Sequence, residues 1–350
     1  MTKLQFFFSL CCTFCISLLG VGVFYLLNAP MPWLLGSIMA LAIASRFPKL
    51  PLGSVKFLSS PARAILGITI GSAFSPEIIH YLSDFFSSLI LIFPFTLLAT
   101  AAGVWYYVKV LHYDIHTAYF SAIPGGLLEM VALAEQYKTN LHKVVLNQSA
   151  RLLFIVFFMP FIIEHWIHIS LSGGQKITQH LNQTPLIDLF LIFLCAIFGW
   201  KLAIKLKIPG GTLVGPMIVG ILAYSLDFIH ARPPTEIINI IQLILGSMVG
   251  FVFVGVSLKE IIKISLQTLG YFLILCVVSG VFILFVWWFT DFPLLSVLLA
   301  FSPGGQAEMN VIAIVVGANL PYVALHHIVR LFLVMSIAPL LIQWFTKKRT

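Results

Sequence analysis

One eight-residue pattern occurs twice in this chain and limits how the chain can fold. Residues 123–130 read Ile-Pro-Gly-Gly-Leu-Leu-Glu-Met, and residues 302–309 read Ser-Pro-Gly-Gly-Gln-Ala-Glu-Met, an offset of 179 positions (302 − 123). Each copy places a helix breaker, two glycines and a carboxylate inside an otherwise apolar run. At membrane depth, backbone groups freed by such a break must be satisfied by protein or by a water-filled cavity. The pattern therefore predicts two structured helix breaks that serve a function.

The composition indicates which environment surrounds these breaks. The 350 residues are 60% hydrophobic and 9% charged, whereas a water-soluble domain carries roughly a quarter charged residues. The apolar residues form stretches of about 20, long enough to cross a bilayer as helices. The net charge of +8 comes from Lys and Arg in short loops, which orient membrane helices. We predict an all-α, multi-pass membrane protein whose environment is the lipid bilayer, with no nucleic-acid partner.

The offset of 179 extends well beyond the motif, which indicates an internal duplication. We predict two membrane repeats, residues 1–175 and residues 180–350, each with six apolar segments. The same offset aligns further pairs of landmark residues, namely Pro30 and Pro209, Gly36 and Gly215, Gly67 and Gly246, Gly71 and Gly250, Asn140 and Asn319, Arg151 and Arg330, and Pro160 and Pro339. The predicted segments are 5–27, 31–45, 61–76, 85–108, 115–136 and 143–166, then 186–204, 210–226, 237–257, 266–289, 294–316 and 321–345.

Loop charges predict that the second repeat is inverted relative to the first. Between segments 1 and 2 the first repeat has no Lys or Arg, whereas the second has Lys201, Lys205 and Lys207. Between segments 2 and 3 the contrast reverses, since the first repeat is rich in cations and the second has only Arg232. Because cations favour the cytoplasmic side, corresponding loops face opposite sides. Inversion requires an odd number of crossings, so each half has about five transmembrane helices plus one broken or re-entrant Pro-Gly-Gly segment, and both termini are cytoplasmic. A broken helix that crosses fully, with another segment failing to cross, is the alternative.

Four ionisable residues fall at membrane depth in this arrangement: Glu129, Glu308, Arg151 and Arg330. A charge at the centre of a spanning helix costs about 2.5–3.5 kcal/mol on the insertion scale, so such residues face a partner or a cavity. Glu and Arg are 22 residues apart in both halves (151 − 129 and 330 − 308), which lets a hairpin bring them together. Glu129 could pair with Arg151 or with Arg330, and salt bridges that only hold the broken segments in place remain an alternative.

The residues after each Pro-Gly-Gly break should begin a half-helix. The unsatisfied N–H groups and positive dipole end of such a helix attract anions, and inverted-repeat transporters place their sites near the bilayer midplane at such ends. The glutamate could cap its own half-helix, take up a proton or coordinate a cation. The predicted substrate or ion site comprises Pro124, Gly125, Gly126, Glu129, Arg151, Pro303, Gly304, Gly305, Gln306, Glu308, Asn310, His327 and Arg330.

A secondary set of polar residues surrounds this site. Gln148 and His327 stand three positions before each arginine and so share a helical face with it. For Asn140 and Asn319 a turn role is as plausible as ligand contact. The second copy is richer in polar residues, so we predict that it supplies most polar contacts. We predict no catalytic residue, metal or cofactor, and a proton or Na⁺ as the coupling ion. The secondary set is Asp114, Asn140, Gln148 and Asn319.

The twin Pro-Gly-Gly-x-x-Glu-Met copies, each followed by Asn and then Arg, resemble the AbrB family of bacterial membrane proteins, which carry a duplicated membrane domain. The first copy also has Asp114, Thr117 and Ala118 ahead of the break, as the family pattern does, whereas Pro293 replaces the aspartate in the second copy. The resemblance covers essentially the whole chain and implies a polytopic inner-membrane protein. Members of the family are labelled as ammonia monooxygenases or as regulators of another gene.

The residues favour transport over these labels. Oxygen activation needs a clustered metal or flavin site, whereas the histidines are scattered, so we predict that the protein is not an enzyme. The expected function is secondary transport of a small anionic solute, with one part of the repeat pair moving against the other. A membrane sensor with an indirect effect on gene expression is the alternative, and an intramembrane oxidoreductase the least favoured one. A homodimer remains open.

Overall fold

The computed structural model of the protein describes residues 3–74, 82–137, 139–168 and 179–347. All regular elements in these ranges are helical, as the apolar segments predict. A π-helical turn at Pro32–Gly36 leads into α2, another at Tyr106–Val110 extends α4, and a 3₁₀ turn spans Leu181–Gln183. The helices are α1 Lys3–Leu26, α2 Ser37–Ala44, α3 Lys56–Gly71, α4 Leu82–Trp105, α5 Ile115–Ala122, α6 Leu127–Ala134, α7 Leu141–Trp166, α8 Leu186–Lys205, α9 Gly211–Ser225, α10 Thr235–Phe251, α11 Leu258–Phe289, α12 Leu294–Phe301, α13 Gln306–Val316 and α14 Leu320–Lys347.

Six of these helices are long and apolar enough to cross a membrane. Large apolar side chains cover their outer faces, including Phe7 (64% exposed), Phe198 (58%) and Trp288 (79%). Apolar surface of this extent is stable only when lipid or another protein covers it, so the all-α membrane class is confirmed. The candidate spans are Leu4–Leu26, Ser83–Val110, Leu141–His165, Leu186–Lys205, Leu258–Phe289 and Leu320–Ile342.

Two helices begin earlier than their hydrophobic segments predict. Helix α3 begins at Lys56 rather than at 61, and α11 begins at Leu258 rather than at 266. Both extensions carry charged residues, such as Lys259 and Glu260, which hydropathy excludes from a segment. Charged side chains are good helix formers at a membrane surface, so these helices continue beyond their apolar portions.

The helices pack into two compact units, and each unit takes helices from both halves of the sequence. The predicted repeats, 1–175 and 180–350, describe the order of the chain and stay a prediction. Unit 1 comprises Met1–Ile79, Val156–Ile261 and Asn310–Leu320, and unit 2 comprises His80–Ile155, Ile262–Met309 and Pro321–Thr350.

Glycines mediate close helix contacts in unit 1. A Cβ atom at Gly67 in α3 would collide with the Leu213 carbonyl oxygen of α9, and one at Gly71 would lie 2.7 Å from the Met217 oxygen. The contact position on α9 therefore advances with that on α3, so the two helices run in the same direction. Small residues allow such close approach of helix backbones in membranes.

The sequence-equivalent helices of unit 1 make the reciprocal contact. A Cβ atom at Gly246 in α10 would lie 2.6 Å from the Leu34 carbonyl oxygen, and one at Gly250 would lie 2.7 Å from the Ile38 oxygen. Gly246 and Gly250 are the equivalents of Gly67 and Gly71 (67 + 179 and 71 + 179). The third helix of each half therefore packs on the second segment of the other half.

Helix directions in unit 1 follow from two further contacts. The Gly53 N–H, just before α3, donates to the Ser9 oxygen near the start of α1 at 3.1 Å, so α1 and α3 begin at the same end of the unit. In contrast, α8 runs opposite to α9, because Ala203 faces Gly211 whereas Gly199 faces Pro216. Since α9 runs parallel to α3, α8 runs opposite to its sequence equivalent α1.

Aromatic clusters hold unit 2 together around its short helices. Phe95 of α4 packs edge-on against Phe301 of α12, with ring centroids 5.6 Å apart. Tyr107, in the π-helical turn that extends α4, packs against Tyr271 of α11 with ring centroids 5.3 Å apart. Tyr119 of α5 donates to the Ala338 carbonyl group of α14 at 3.0 Å. These contacts fix α5 and α12, the helices that precede the two Pro-Gly-Gly breaks.

Candidate functional site

Both Pro-Gly-Gly segments are broken as predicted, and the backbone conformation shows why. Helix α5 ends at Ala122, Ile123 adopts φ −59° and ψ 126°, and Gly126 adopts φ −67° and ψ 140° as the N-cap of α6. In the second copy Ser302 adopts φ −66° and ψ 132° before α13 begins. A residue before proline is driven out of the α-helical region by the pyrrolidine ring, so each break begins one residue before its proline.

The two arginines bind the carbonyl groups that these breaks expose. Arg151 donates from its two terminal nitrogens to the oxygens of Ile123 at 2.8 Å and Gly125 at 3.1 Å. Arg330 donates to the equivalent oxygens of Ser302 at 2.7 Å and Gly304 at 2.6 Å. Both arginines are almost fully buried, 2% and 3% exposed. The planar guanidinium matches two neighbouring acceptors, so each arginine satisfies a break without requiring a carboxylate.

The residues three positions before each arginine brace the preceding helix. Gln148 donates from Nε2 to the oxygens of Phe120 at 2.6 Å and Ile123 at 3.1 Å. His327 contacts the equivalent Leu299 oxygen through Nε2 at 3.0 Å, and its Nδ1 lies 2.9 Å from Arg330. The helical face that Gln148 shares with Arg151 therefore contacts the last turn of α5, and the face that His327 shares with Arg330 contacts the last turn of α12.

The two glycines of each motif make room for the side chains that follow them. A Cβ atom at Gly126 would collide with the Glu129 carboxylate, and one at Gly125 would lie 2.8 Å from the Met130 side chain. Gly305 and Gly304 stand in the same relation to Glu308 and Met309. A glutamate at the third helical position characteristically reaches back to the N-cap N–H group. The geometry thus favours helix capping by both glutamates, one of the roles that the sequence left open.

Three secondary residues lie at helix starts. Asp114 is the N-cap of α5 and accepts from the Thr117 N–H at 2.9 Å. Asn140 Oδ1 accepts from the Lys143 N–H at 3.1 Å at the start of α7, and Asn319 directly precedes α14. Both asparagines are exposed, whereas Asn310 is fully buried in the part of α13 that belongs to unit 1.

Unit 2 brings the two breaks close together. A Cβ atom at Gly305 would lie 3.1 Å from Cδ1 of Leu152. Leu152 is the residue that follows Arg151 on α7. Two breaks that are 179 residues apart in sequence therefore lie side by side within one compact unit.

Several polar contacts around the breaks escaped the sequence reasoning. Tyr271 of α11 donates to the Ala122 carbonyl oxygen, and Thr268 donates to Asn147 Oδ1 at 2.9 Å. His326, the equivalent of Asn147 (147 + 179), contacts Ser88 Oγ at 3.0 Å. Asn147 and His326 were detectable as polar residues inside apolar helices, whereas a lone tyrosine such as Tyr271 carries no such signal.

Buried polar atoms without hydrogen-bond partners cluster at the breaks. A buried polar group without a partner costs about 1–3 kcal/mol, so such atoms mark places where a ligand or water is expected. The Arg151 Nε–H donates only, the Gln148 Oε1 atom accepts only, and hydroxyl groups both donate and accept, so the Arg151 Nε–H and the hydroxyl groups can donate to an acceptor-rich ligand. Among the described residues these atoms include Ser121 Oγ, Gln148 Oε1, Ser149 Oγ, Arg151 Nε and Ser302 Oγ, each in a side chain at most 2% exposed.

Tyr113 and Lys143 lie just outside the first broken segment. Tyr113 donates to Gln267 Oε1 at 2.8 Å, and the Lys143 ammonium lies 4.6 Å from its ring centroid. Burial raises the pKa of the Tyr113 phenol, which keeps the donor protonated at neutral pH. These contacts anchor α11 beside the start of α5.

Comparison with known proteins places this geometry in a family. The family model described as "Transition state regulatory protein AbrB" matches residues 33–346. A protein of Escherichia coli (strain K12) named as a regulator, AbrB, is 26% identical over 336 residues, which cover 94% of each chain. Bacillus subtilis (strain 168) has an uncharacterized protein, YhjN, that is 26% identical over 300 residues, 79% of this chain and 75% of that protein. No solved structure matches the chain significantly. The protein with the two arginine-bound helix breaks therefore belongs to the AbrB family.

Proposed function

We propose that this protein is a secondary transporter of a small anionic solute in the bacterial inner membrane. The observation that carries the proposal is the pair of buried arginines, Arg151 and Arg330, beside two adjacent helix breaks in one compact unit. Two neighbouring positive charges in an apolar surrounding favour an anion strongly, because the low dielectric screens them little.

The unsatisfied atoms at the breaks support an anionic solute in particular. Arg151 Nε and the hydroxyl groups of Ser121, Ser149 and Ser302 can all donate to carboxylate oxygens. The second break contributes Ser302, so the solute would contact both halves of the sequence. We assign no chemical reaction to this set, which suits binding and release.

Helix directions in unit 1 support the inverted repeat that such a transporter needs. Because α1 and α8 are sequence equivalents that run in opposite directions, the halves fit a five-crossing inverted arrangement with cytoplasmic termini. The proposal places the solute site within unit 2, where both breaks lie.

Counterflow in proteoliposomes tests the proposal. Purified protein would be loaded with unlabelled small mono- or dicarboxylates and assayed for uptake of the same labelled acid. We expect uptake by the wild type and a severalfold rise in apparent KM for S121A and S302A, since each variant removes one donor and no helix contact. Ser59→Ala is the matched control, because Ser59 Oγ is equally buried and unpartnered but lies in unit 1. Absence of counterflow for every acid would contradict the proposal.

A membrane sensor that binds the same anion without moving it is the second candidate function. It is favoured by the names of the family model and of the Escherichia coli relative, both of which describe a regulator. The two functions separate in one experiment, because a sensor is stabilised thermally by an acid that gives no counterflow.

A further inference from the structure

The two helix breaks share one backbone geometry but differ in the side chains that brace them. Where the first copy has Asn147 and Gln148 on α7, the second has His326 and His327 on α14 (147 + 179 and 148 + 179). Gln148 and His327 contact equivalent carbonyl oxygens, those of Phe120 and Leu299. The second break therefore has imidazoles where the first has amides, so at these two positions a proton can bind in the second copy and not in the first.

The partners of His327 determine where its single proton lies. Arg330 has only donors, so the 2.9 Å contact from its terminal nitrogen makes Nδ1 of His327 an acceptor. The Leu299 carbonyl oxygen accepts only, so Nε2 carries the hydrogen that bridges their 3.0 Å separation. His327 is thus held neutral, and the lone pair of its Nδ1 accepts a hydrogen bond from the Arg330 guanidinium.

Protonation of Nδ1 would disrupt the second break. It would convert the Arg330–His327 hydrogen bond into a contact between two donors and place two positive charges 2.9 Å apart. The same Arg330 nitrogen donates to the Gly304 oxygen at 2.6 Å. Displacing that nitrogen would break one of the two hydrogen bonds by which Arg330 holds the backbone of the second break.

The other ionisable groups around His327 do not relieve this conflict. His326 and Arg330, both on α14, are the groups that act on it electrostatically, and Arg151 on α7 adds its positive charge at Arg330. His326 has both ring nitrogens engaged, with Nδ1 donating to the Tyr322 oxygen at 2.7 Å and Nε2 accepting from Ser88 at 3.0 Å. A proton that binds to this pair must therefore displace a hydrogen bond, and at His327 the bond it displaces is the one from Arg330.

We propose that Nδ1 of His327 is the site at which a proton binds to loosen the second helix break, and that this event couples proton movement to the solute. The coupling part rests on the proposed transport function. Proton uptake was one of the roles that the sequence left open for Glu129 and Glu308, which the structure places over the glycines of their own helix starts.

Thermal unfolding of the purified protein tests, without requiring transport, whether a proton on His327 weakens the folded state, because stability falls with pH where the unfolded chain binds more protons than the folded one. In His327→Gln, glutamine can donate to the Leu299 oxygen as Gln148 does to the Phe120 oxygen, and it can accept from Arg330, so the fold is retained. Between about pH 7.5 and about pH 5.5 we expect the Tm of the wild type to fall about 2–4 °C further than that of His327→Gln.

Gln148→His should increase the acid sensitivity, and His165→Gln, which alters an exposed histidine, should leave it unchanged. Equal acid sensitivity of the wild type and His327→Gln would overturn the proton site.

Proteoliposomes then test the coupling. With a labelled carboxylate that shows counterflow, an inward proton gradient should accelerate uptake by the wild type severalfold, whereas His327→Gln should keep counterflow and lose the acceleration. Acceleration that survives in His327→Gln would overturn the coupling role. A wild type without any counterflow would reject transport, while the unfolding experiment would still decide whether a proton on His327 weakens the folded state.

Discussion

At the scale of single residues, each part of the repeated motif has its own physical task. The proline drives the preceding residue out of the helix, the first glycine admits a methionine, and the second admits the glutamate. The arginine 22 positions later binds two of the exposed carbonyl groups. The motif and the arginine 22 positions later therefore stabilise together a break within an apolar helix.

Alanine at the second glycine tests this assignment. Gly126→Ala and Gly305→Ala each place a methyl group against the glutamate carboxylate, and overpacking of this kind costs about 1–3 kcal/mol. Gly280→Ala, in α11, is the control because a Cβ atom there meets nothing within 4 Å, and alanine favours a helix over glycine. Thermal unfolding in detergent should show both motif variants below the wild type and Gly280→Ala at or above it. Unchanged Tm values in both motif variants would contradict the crowded carboxylate.

The sequence could identify these residues but not their partners. Glu129, Glu308, Arg151 and Arg330 stand out because a charge is costly at membrane depth, so their importance is readable from hydropathy alone. Their partners include main-chain carbonyl oxygens, which are common to all residues and leave no mark in a side-chain pattern.

At the scale of elements, the close packing of unit 1 depends on glycines in equivalent helices. Gly67 and Gly246 occupy the same place in their repeats, and each faces a backbone carbonyl group of the other half. Backbone atoms yield less readily than flexible side chains, so an added methyl group must separate two helices. The contacts recur at the 179-residue offset, which is what the predicted duplication requires.

This reciprocity predicts similar energetic effects in both repeats. Gly67→Ala and Gly246→Ala should each lower stability by about 1–3 kcal/mol, and the two losses should resemble each other. Gly22→Ala in α1 provides the comparison, since a Cβ atom there meets nothing within 4 Å. The measurement is the Tm of each variant in one detergent. A large loss in only one of the pair would show that the two contacts are not energetically equivalent.

The sequence predicts where the helices lie, but it predicts the ends of the helices less accurately. Apolar runs of about 20 residues indicate spanning helices reliably, and proline with two glycines located both breaks. Hydropathy failed at Lys56 and Leu258, where the helices extend into charged residues. Such extensions are stabilised by helix propensity and by a polar surface, neither of which a hydropathy window registers.

At the scale of the whole molecule, the order of the chain and its packing follow different divisions. The duplication predicted at offset 179 rests on residues that recur along the chain. Each compact unit nevertheless combines helices of both halves, as Gly67 against Leu213 illustrates. Hydropathy indicates that a helix lies in the membrane, but it does not indicate which helices are its neighbours. The grouping of helices from both halves into one unit could therefore not be predicted from the sequence.

Cysteine accessibility tests the direction of the two repeats in the membrane. The variants start from a chain in which the five native cysteines, all without disulfide partners, are replaced by serine or alanine; these are Cys11, Cys12, Cys15, Cys195 and Cys276. Single cysteines then replace three exposed residues, namely Lys56 at the start of α3, Lys207 between α8 and α9, and Arg232 before α10.

If the second repeat is inverted, Lys56→Cys and Lys207→Cys should both react from the cytoplasmic side, and Arg232→Cys from the other. The reason is positional, because Lys56 and Arg232 lie in corresponding loops (between segments 2 and 3) of the two halves, which an inverted repeat places on opposite faces. Labelling intact cells with a membrane-impermeant maleimide should modify Arg232→Cys alone, and inverted vesicles should modify the other two. Labelling of Lys56→Cys and Arg232→Cys from one side would show that the halves point the same way, and the five-crossing arrangement would have to be abandoned.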